Sequence, residues 1–340
     1  MRFLSAAEVE ALLDLDALVD AVASAMADLS AGRASVPPRI AALVPERDAL
    51  LAAMPAHLPS ANALTTKLVS LFPQNHDRPT HQALICVFDP ATGTPAAVMD
   101  GRVITEARTA AGSALSARLL ARDDARTFAI VGTGAQAHAH ARALARDARV
   151  ERIVIAGRRR DAVEALAEAV RGDLAGSGPA ALRGGRRVEV EVTTSVEEAV
   201  GSADVVSIAT HASAPVVLRA WLRPGTHVTS VGFNSAGDGE VDGETIRDAF
   251  LVVESRSAAF APPPTGAIEL VGAVERGLIA GPDHARAEIG ELVAGTATGR
   301  TDAAQITLYK SVGVAAQDAA AAMLVLRAAE ARGIGTTLEL

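Results

Sequence analysis

The feature that most constrains the fold is the loop Gly132-Thr133-Gly134-Ala135-Gln136-Ala137, set between two runs of different period. Ahead of it, Thr127-Phe128-Ala129-Ile130-Val131 is a short apolar run of strand type, and behind it residues 136–146 repeat as a helix does. A strand that turns through such a loop straight into a helix opens a Rossmann βαβ unit. Gly132 permits the tight turn, Gly134 lets the backbone approach a pyrophosphate, and Ala137 supplies the small third residue that close helix–strand packing needs. The free N–H groups at the helix start then meet the phosphates with a favourable dipole. A bare glycine turn in an ordinary α/β fold has the same spelling; the strand before it and the helix after it favour a dinucleotide.

Downstream, strand-type runs at 152–156, 188–192, 205–209, 227–231 and 250–253 alternate with a helix over 161–170 and shorter helices or turns near 197–200, 218–222 and 244–248. That alternation predicts a doubly wound parallel sheet. Upstream the pattern differs. Ser5 and Glu8 have capping-box spacing, and a helix over 17–29 stops at Gly32. Pro37, Pro38, Pro55 and Pro59 break residues 34–60 into loops and short strands. Strands follow over 64–72 and 82–89, the second entering a hairpin through the turn at 91–95, and then an alanine-rich helix over 105–122. A long C-terminal helix over about 311–332 stops at Gly333. The expected fold class is α/β: a Rossmann-type doubly wound parallel sheet domain over 123–310, plus an α+β substrate and dimerisation domain formed by 1–122 and 311–340.

Composition narrows the partners. The net charge of -8 argues against nucleic acid or an anionic membrane, both of which select for Lys and Arg. With aromatics at 3%, the core must be built from Ala, Val, Leu and Ile. Cys86 is the single cysteine, so no intrachain disulfide forms, which fits a reducing compartment. Its apolar run, 83–88, suggests a buried structural thiol. No leader of basic then apolar residues opens the chain and no apolar stretch has membrane length, so a soluble cytoplasmic protein is expected. His138 and His140, two residues apart on a helix, point to different faces and do not make a metal pair. Arg186 and Arg187, with Arg183 nearby, read as a solvated loop.

The second strand bears on the cofactor. NAD sites place a carboxylate at its end to bind the ribose hydroxyls. Here the strand runs into Gly157-Arg158-Arg159-Arg160, with no carboxylate before Asp161. Arginines at this point can pair with a 2′-phosphate, so NADP(H) is preferred, with NAD(H) as second choice; a solvated basic turn would carry the same residues. Two further cations stand out. Arg39 follows two prolines that restrain its loop, and its guanidinium could clamp a carboxylate. Lys67 lies in an otherwise apolar strand, where burial would lower its pKa towards neutrality. Read alone, Arg39 fits a surface salt bridge as well, and Lys67 a charge that guards a sheet edge.

Set in this order, the chain resembles the ornithine cyclodeaminase/mu-crystallin family over nearly its whole length. The matching pieces are Pro37-Pro38-Arg39, Lys67-Leu68-Val69-Ser70, Pro79-Thr80-His81, Asp100-Gly101, Thr105-Glu106-Ala107-Arg108-Thr109-Ala110, the glycine loop, Ser230-Val231-Gly232 and Thr307-Leu308-Tyr309-Lys310-Ser311-Val312-Gly313. The resemblance implies a homodimer joined through the N-terminal domains and a site in the cleft between the two domains. It implies that Arg39 and Lys67 hold a substrate carboxylate, with Val312 beside the substrate. Thr80, Arg108, Thr109, Gly132, Gly134, Ala135, Gln136, Thr210, Val231, Gly232 and Ser311 fall at cofactor positions, joined by Arg158 and Arg159 from the charge argument.

One departure bears on the reaction. Cyclodeaminases of the family carry an aspartate where this chain has Asn234, and a small residue where it has Phe233. Asparagine cannot take a proton and can only orient by hydrogen bonding. With the missing NAD-type carboxylate, this favours net reduction of a C=N bond in an imino acid or ketimine, or amino-acid dehydrogenation in reverse. Lys67, Arg39 and Asn234 are the candidate catalytic residues, and the partner is a small imino or amino acid. The alternatives are a cyclodeaminase-type lyase with bound NAD, and a non-catalytic binder that keeps the dinucleotide site.

Overall fold

The first helix starts as its spelling predicts. Ser5 accepts the Glu8 amide on its hydroxyl, and Glu8 accepts the Ser5 amide in return. This cap follows strand β1 (Arg2–Leu4) and opens α1 (Ala6–Leu12). Asp14 caps α2 (Leu15–Ser30) by accepting from the Asp16 and Ala17 amides. Strands β2 (Ile40–Val44), β3 (Ala49–Leu58), β4 (Ala63–Leu71), β5 (His81–Phe88) and β6 (Pro95–Asp100) come next, then α3 (Gly101–Leu120). This computed structural model describes all residues except 177, 183–185, 233–236, 264 and 340. It divides into two compact units, Met1–Arg108 with Gly313–Leu340, and Thr109–Val312.

The first unit is built on one mixed sheet. Its strand order is Thr336–Thr337, β1, β6, β5, β4, β3, β2, antiparallel throughout except for the β1–β6 pair. Side chains of β4 alternate between buried and half-buried, the signature of a sheet covered on one face. The covering element is the C-terminal helix Ala315–Arg332, whose first eight residues are all buried, and α2 packs against that helix. That helix is rich in alanine because only small side chains allow such close approach.

Residues 34–47 form a loop, the short β2 and a tight turn, as the prolines predict, but the rest of the segment does not break up. The chain there forms the ten-residue β3, with Pro55 inside it. The proline is tolerated because its missing N–H would point towards β2, which has already ended at the Ile40↔Ala53 pair. Two residues on, His57 turns its N–H the same way and donates to Ser35. Cys86 is half-buried on β5 rather than deep in the core, opposite Thr66. The C-terminal helix starts at Ala315, four residues later than its periodicity suggested. Residues 307–310 belong to a strand of the second unit, and Gly313, at φ 74°, separates strand from helix.

The second unit contains β7 (Thr127–Val131), α4 (Ala135–Leu144), β8 (Arg152–Ala156), α5 (Arg160–Ala175), β9 (Glu189–Thr193), α6 (Val196–Ser202), β10 (Val205–Ile208) and β11 (His227–Ser230). It continues with α7 (Gly243–Asp248), β12 (Phe250–Val253), α8 (Arg256–Ala259), α9 (Ile268–Glu275), β13 (Ala287–Glu288), α10 (Ile289–Val293) and β14 (Thr307–Lys310). The strands form one parallel sheet in the order β13-β12-β14-β11-β10-β7-β8-β9. This is the doubly wound Rossmann-type sheet, with the order reversing between β7 and β10. Its central strands β7, β10, β11 and β14 are buried along their lengths, as helices on both faces require, while the edge strand β9 is largely half-buried. Among the described residues, no helix is long and apolar enough to cross a membrane.

Candidate active site

Parallel register brings the strand ends of the second unit into one row. Ala156 pairs with Val131, Val131 with Ile208, Ile208 with Ser230, Ser230 with Lys310, and Lys310 with Val253. The residues that follow each strand therefore line one edge: Gly132, Gly157 to Arg159, Thr210, Val231 with Gly232, and Ser311. In an open α/β sheet this carboxyl edge, at the reversal of strand order, is where a ligand binds.

The glycine loop is shaped for that task. Gly132 has φ 124°, and a Cβ there would collide with the carbonyl oxygen of Ala209 at the end of β10. Gly134 is the N-cap of α4 with no side chain capping it, and the space its Cβ would fill is open. Ala137 is fully buried where the helix meets the sheet. Gln136 buries its Oε1 with no hydrogen-bond partner, an acceptor suited to a ligand hydroxyl such as that of a ribose. An uncapped helix start, an open backbone face and an orphan acceptor together fit a dinucleotide. A groove of about 440 Å³ runs from Thr133, Gly134 and Ala135 past His138 to Arg159 and α5. Arg158 and Arg159 are exposed at its β8 end, with Arg159 3.4 Å from Asp161. Thr210 and Gly232 each donate a backbone N–H to the buried Glu240, whose carboxyl is pushed up by burial against the pull of Lys310 and these donors.

The first unit assembles a second group of residues. Lys67 on β4 is 3% exposed, and its Nζ lies 2.7 Å from Oδ2 of Asp318 on the C-terminal helix. Arg108 on α3 donates to Asp318 Oδ1 at 3.0 Å and to Gln317 Oε1 at 3.0 Å. Thr105, one turn earlier on α3, is 3.5 Å from Lys67 Nζ. Arg39 is half-buried and donates to the carbonyl of Gly313 at 3.0 Å. Burial pushes Lys67 down to about 8, with Asp318 opposing that fall and Arg108 adding to it. For Asp318 burial works the other way, yet Arg108 and Lys67 prevail and hold its carboxyl below the usual range. His81, at the start of β5, is pushed down to about 4 by burial and by the charges of Lys67 and Arg108, so it is neutral near pH 7.

Sequence reasoning selected Arg39, Lys67 and Arg108 but missed Asp318 and Gln317. Their signal was a polar pair inside an alanine run, 315–322, where every neighbour is buried. Arg108 is buried on Asp318 and Gln317, Thr109 is buried beside it on α3, and Thr80 is exposed before β5. Val312 donates its N–H to Glu254, and Ser311 donates its hydroxyl to the same side chain. Asn234 and Phe233 lie outside the described residues, as does Arg183. His138 pairs with Asp173 at 2.7 Å, whereas His140 is buried on Ser113 and the Gln136 carbonyl. Among the described residues, no group of three or more His, Cys, Asp or Glu side chains could hold a metal.

The sequence model of the ornithine cyclodeaminase/mu-crystallin family matches residues 1–333. Ketimine reductase mu-crystallin of Mus musculus is 34% identical over 330 residues, covering 95% of this chain and 96% of that protein. Among solved structures, Thermococcus litoralis Delta(1)-pyrroline-2-carboxylate reductase in complex with NADH and L-proline superposes with a TM-score of 0.90 at 32% identity, over 99% of this chain and 100% of that one. An archaeal alanine dehydrogenase dimer with bound NAD superposes with a TM-score of 0.87 at 31% identity, over 100% of this chain and 99% of that one.

Proposed function

The chain belongs to the ornithine cyclodeaminase/mu-crystallin family, and on that premise we propose that it is an NAD(P)H-dependent reductase of the C=N bond of a small imino acid or ketimine. In reverse it is an amino-acid dehydrogenase. The observation that carries this reading is the buried trio Lys67, Asp318 and Arg108. Two cations share one carboxylate, so the cluster keeps an unbalanced positive charge out of water. A substrate carboxylate supplies the missing negative charge, and a buried cation gains most from such a partner.

The chain's own residues then divide the work. Arg39, at the end of its proline-restrained loop, offers a guanidinium to the substrate carboxylate. Lys67 shares that carboxylate and, with a pKa near 8, can also give a proton to the substrate nitrogen. Asp318 fixes the direction of the Lys67 ammonium. The glycine loop holds the pyrophosphate, Gln136 a ribose hydroxyl, and Arg158 with Arg159 the 2′-phosphate that would make NADP(H) the preferred form. Bound dinucleotide supplies the hydride for the imine carbon. Asn234 cannot act as a base, which disfavours cyclodeamination. The active form is a homodimer, a reading supported by the dimeric archaeal alanine dehydrogenase and by apolar side chains exposed on the first sheet.

The test is direct. Purified protein is mixed with NADPH or NADH and a panel of cyclic imino acids, and with α-keto acids plus an amine, while nicotinamide oxidation is followed. Oxidation that requires an imine bearing a carboxylate is expected. No oxidation, with ammonia released from ornithine instead, would sink the reductase in favour of the lyase. Neither reaction, with tight dinucleotide binding, would leave a binding protein.

A further inference from the structure

His81 opens β5, and register fixes its place on the first sheet. Across the β4–β5 ladder, Lys67 pairs with Ile85 and Leu71 pairs with His81. Side chains alternate along a strand, so His81, four residues from Ile85, shares the face of Lys67. That is the face covered by the C-terminal helix. Burial fades along it: Lys67 and Ile85 are buried, whereas Leu71 and His81 are half-buried. The imidazole therefore stands between the buried cluster and the less covered end of the two strands. There it feels the charges of Lys67, Arg108 and Asp318.

The cluster is rich in donors and poor in acceptors. Lysine and arginine side chains can only donate. Asp318 accepts from Arg108 and lies against Lys67, Gln317 accepts from Arg108, and Thr105 meets Lys67. His81 supplies a further acceptor. One ring nitrogen bonds the residue's own backbone carbonyl, which requires a ring N–H as the donor. Burial and the two cations keep the ring uncharged near pH 7, so its other nitrogen carries a lone pair. Among the described residues, no other side chain hydrogen-bonds this ring. Cations alone would favour a keto acid over an imino acid. The two share a shape, but the keto acid presents a carbonyl oxygen where the protonated imine presents an N–H. An acceptor at that point reverses the preference, because it gives the imine a charge-assisted hydrogen bond that the ketone cannot make.

We propose that His81 is a specificity-determining residue: its imidazole accepts the N–H of the protonated imine and so selects an imino acid over the keto acid of the same shape. This rests on the reductase reading above. An imine that arrives protonated needs no proton from Lys67, which then stays with the carboxylate. The test compares wild type with His81→Leu and His81→Gln, each checked for folding by thermal unfolding. Delta(1)-pyrroline-2-carboxylate is the substrate, with NADPH or NADH, whichever wild type oxidises. The keto acid with the same number of carbons, 2-oxopentanoate, is the competing inhibitor. In His81→Leu, kcat/KM for the imine is expected to fall about tenfold or more, while Ki for the keto acid stays within about twofold. His81→Gln, whose amide oxygen can accept the same N–H, is expected to regain part of the loss. A role confined to folding would move imine and keto acid together. Equal losses for both, or a loss for neither, in folded His81→Leu would overturn the proposal and leave the reductase reading standing on the turnover of wild type. A wild type that reduces no imino acid would remove that reading, and the role of His81 with it.

Discussion

Lys67 is the residue on which the proposed chemistry turns, and its surroundings dictate how it responds to pH. Burial lowers its pKa from 10.5 to about 8 in the folded chain. Between those values the unfolded chain holds the extra proton. The contribution of Lys67 to stability therefore grows as pH rises from about 8 towards 10.5. Activity moves the other way. If the ammonium holds the substrate carboxylate or protonates the imine, kcat/KM for reduction falls above about pH 8, with the loss of one proton. Asp318 opposes the lowering, so Asp318→Asn is expected to move that limb to lower pH, measured by steady-state rates across the pH range. The same change leaves Lys67 and Arg108 without their shared carboxylate, at a cost of about 3–5 kcal/mol in denaturant unfolding. A pH profile whose alkaline limb stays in place in a folded Asp318→Asn would remove Asp318 from the control of Lys67.

At the scale of elements, the end of each parallel strand has its own task. Gly132 closes β7 at φ 124°, pressed against Ala209. Gly132→Ala is expected to cost about 1–3 kcal/mol in stability from backbone strain alone and to weaken dinucleotide binding at least tenfold, read by titration of NADPH fluorescence. Unchanged affinity would mean that this turn does not carry the phosphates. The β8 end is exposed, so Arg158→Ala with Arg159→Ala should leave folding unaltered and lower the ratio of NADPH to NADH affinity; a constant ratio would refute the 2′-phosphate assignment. These elements were legible in the sequence because they are local: strand, glycine turn and helix follow one another within 20 residues. What was not legible depends on distant partners. Pro55 reads as a strand breaker until it is known that β2 ends before reaching it. Residues 307–310 form a central strand only because β11 and β12 flank them. Asp318 reads as one polar residue in an alanine helix until β4 places Lys67 against it, and Glu240 gives no local sign that it ties two strand ends together.

For the molecule as a whole, the first sheet raises a question that one copy of the chain does not answer. Its order places β2 at an edge, with unpaired backbone groups facing outward. Ile40 and Leu43 on that strand are 69% and 67% exposed, and Leu51 and Leu84 add apolar area on β3 and β5. An apolar edge strand left open to water invites pairing with another strand, and proteins that stay monomeric guard such edges with charge. Residues 40–44, Ile-Ala-Ala-Leu-Val, carry no charge at all. The sheet therefore calls for a second copy of the chain. Wild type is expected to sediment as a dimer at micromolar concentration. Ile40→Lys with Leu43→Lys should shift it to half that mass with its far-ultraviolet circular dichroism intact, because both side chains already face solvent in the single chain. Dinucleotide affinity should survive the change, since every residue placed at the carboxyl edge belongs to the second unit, which has its own sheet. A monomeric wild type, or a variant that still sediments as a dimer, would show that β2 is not the joining edge.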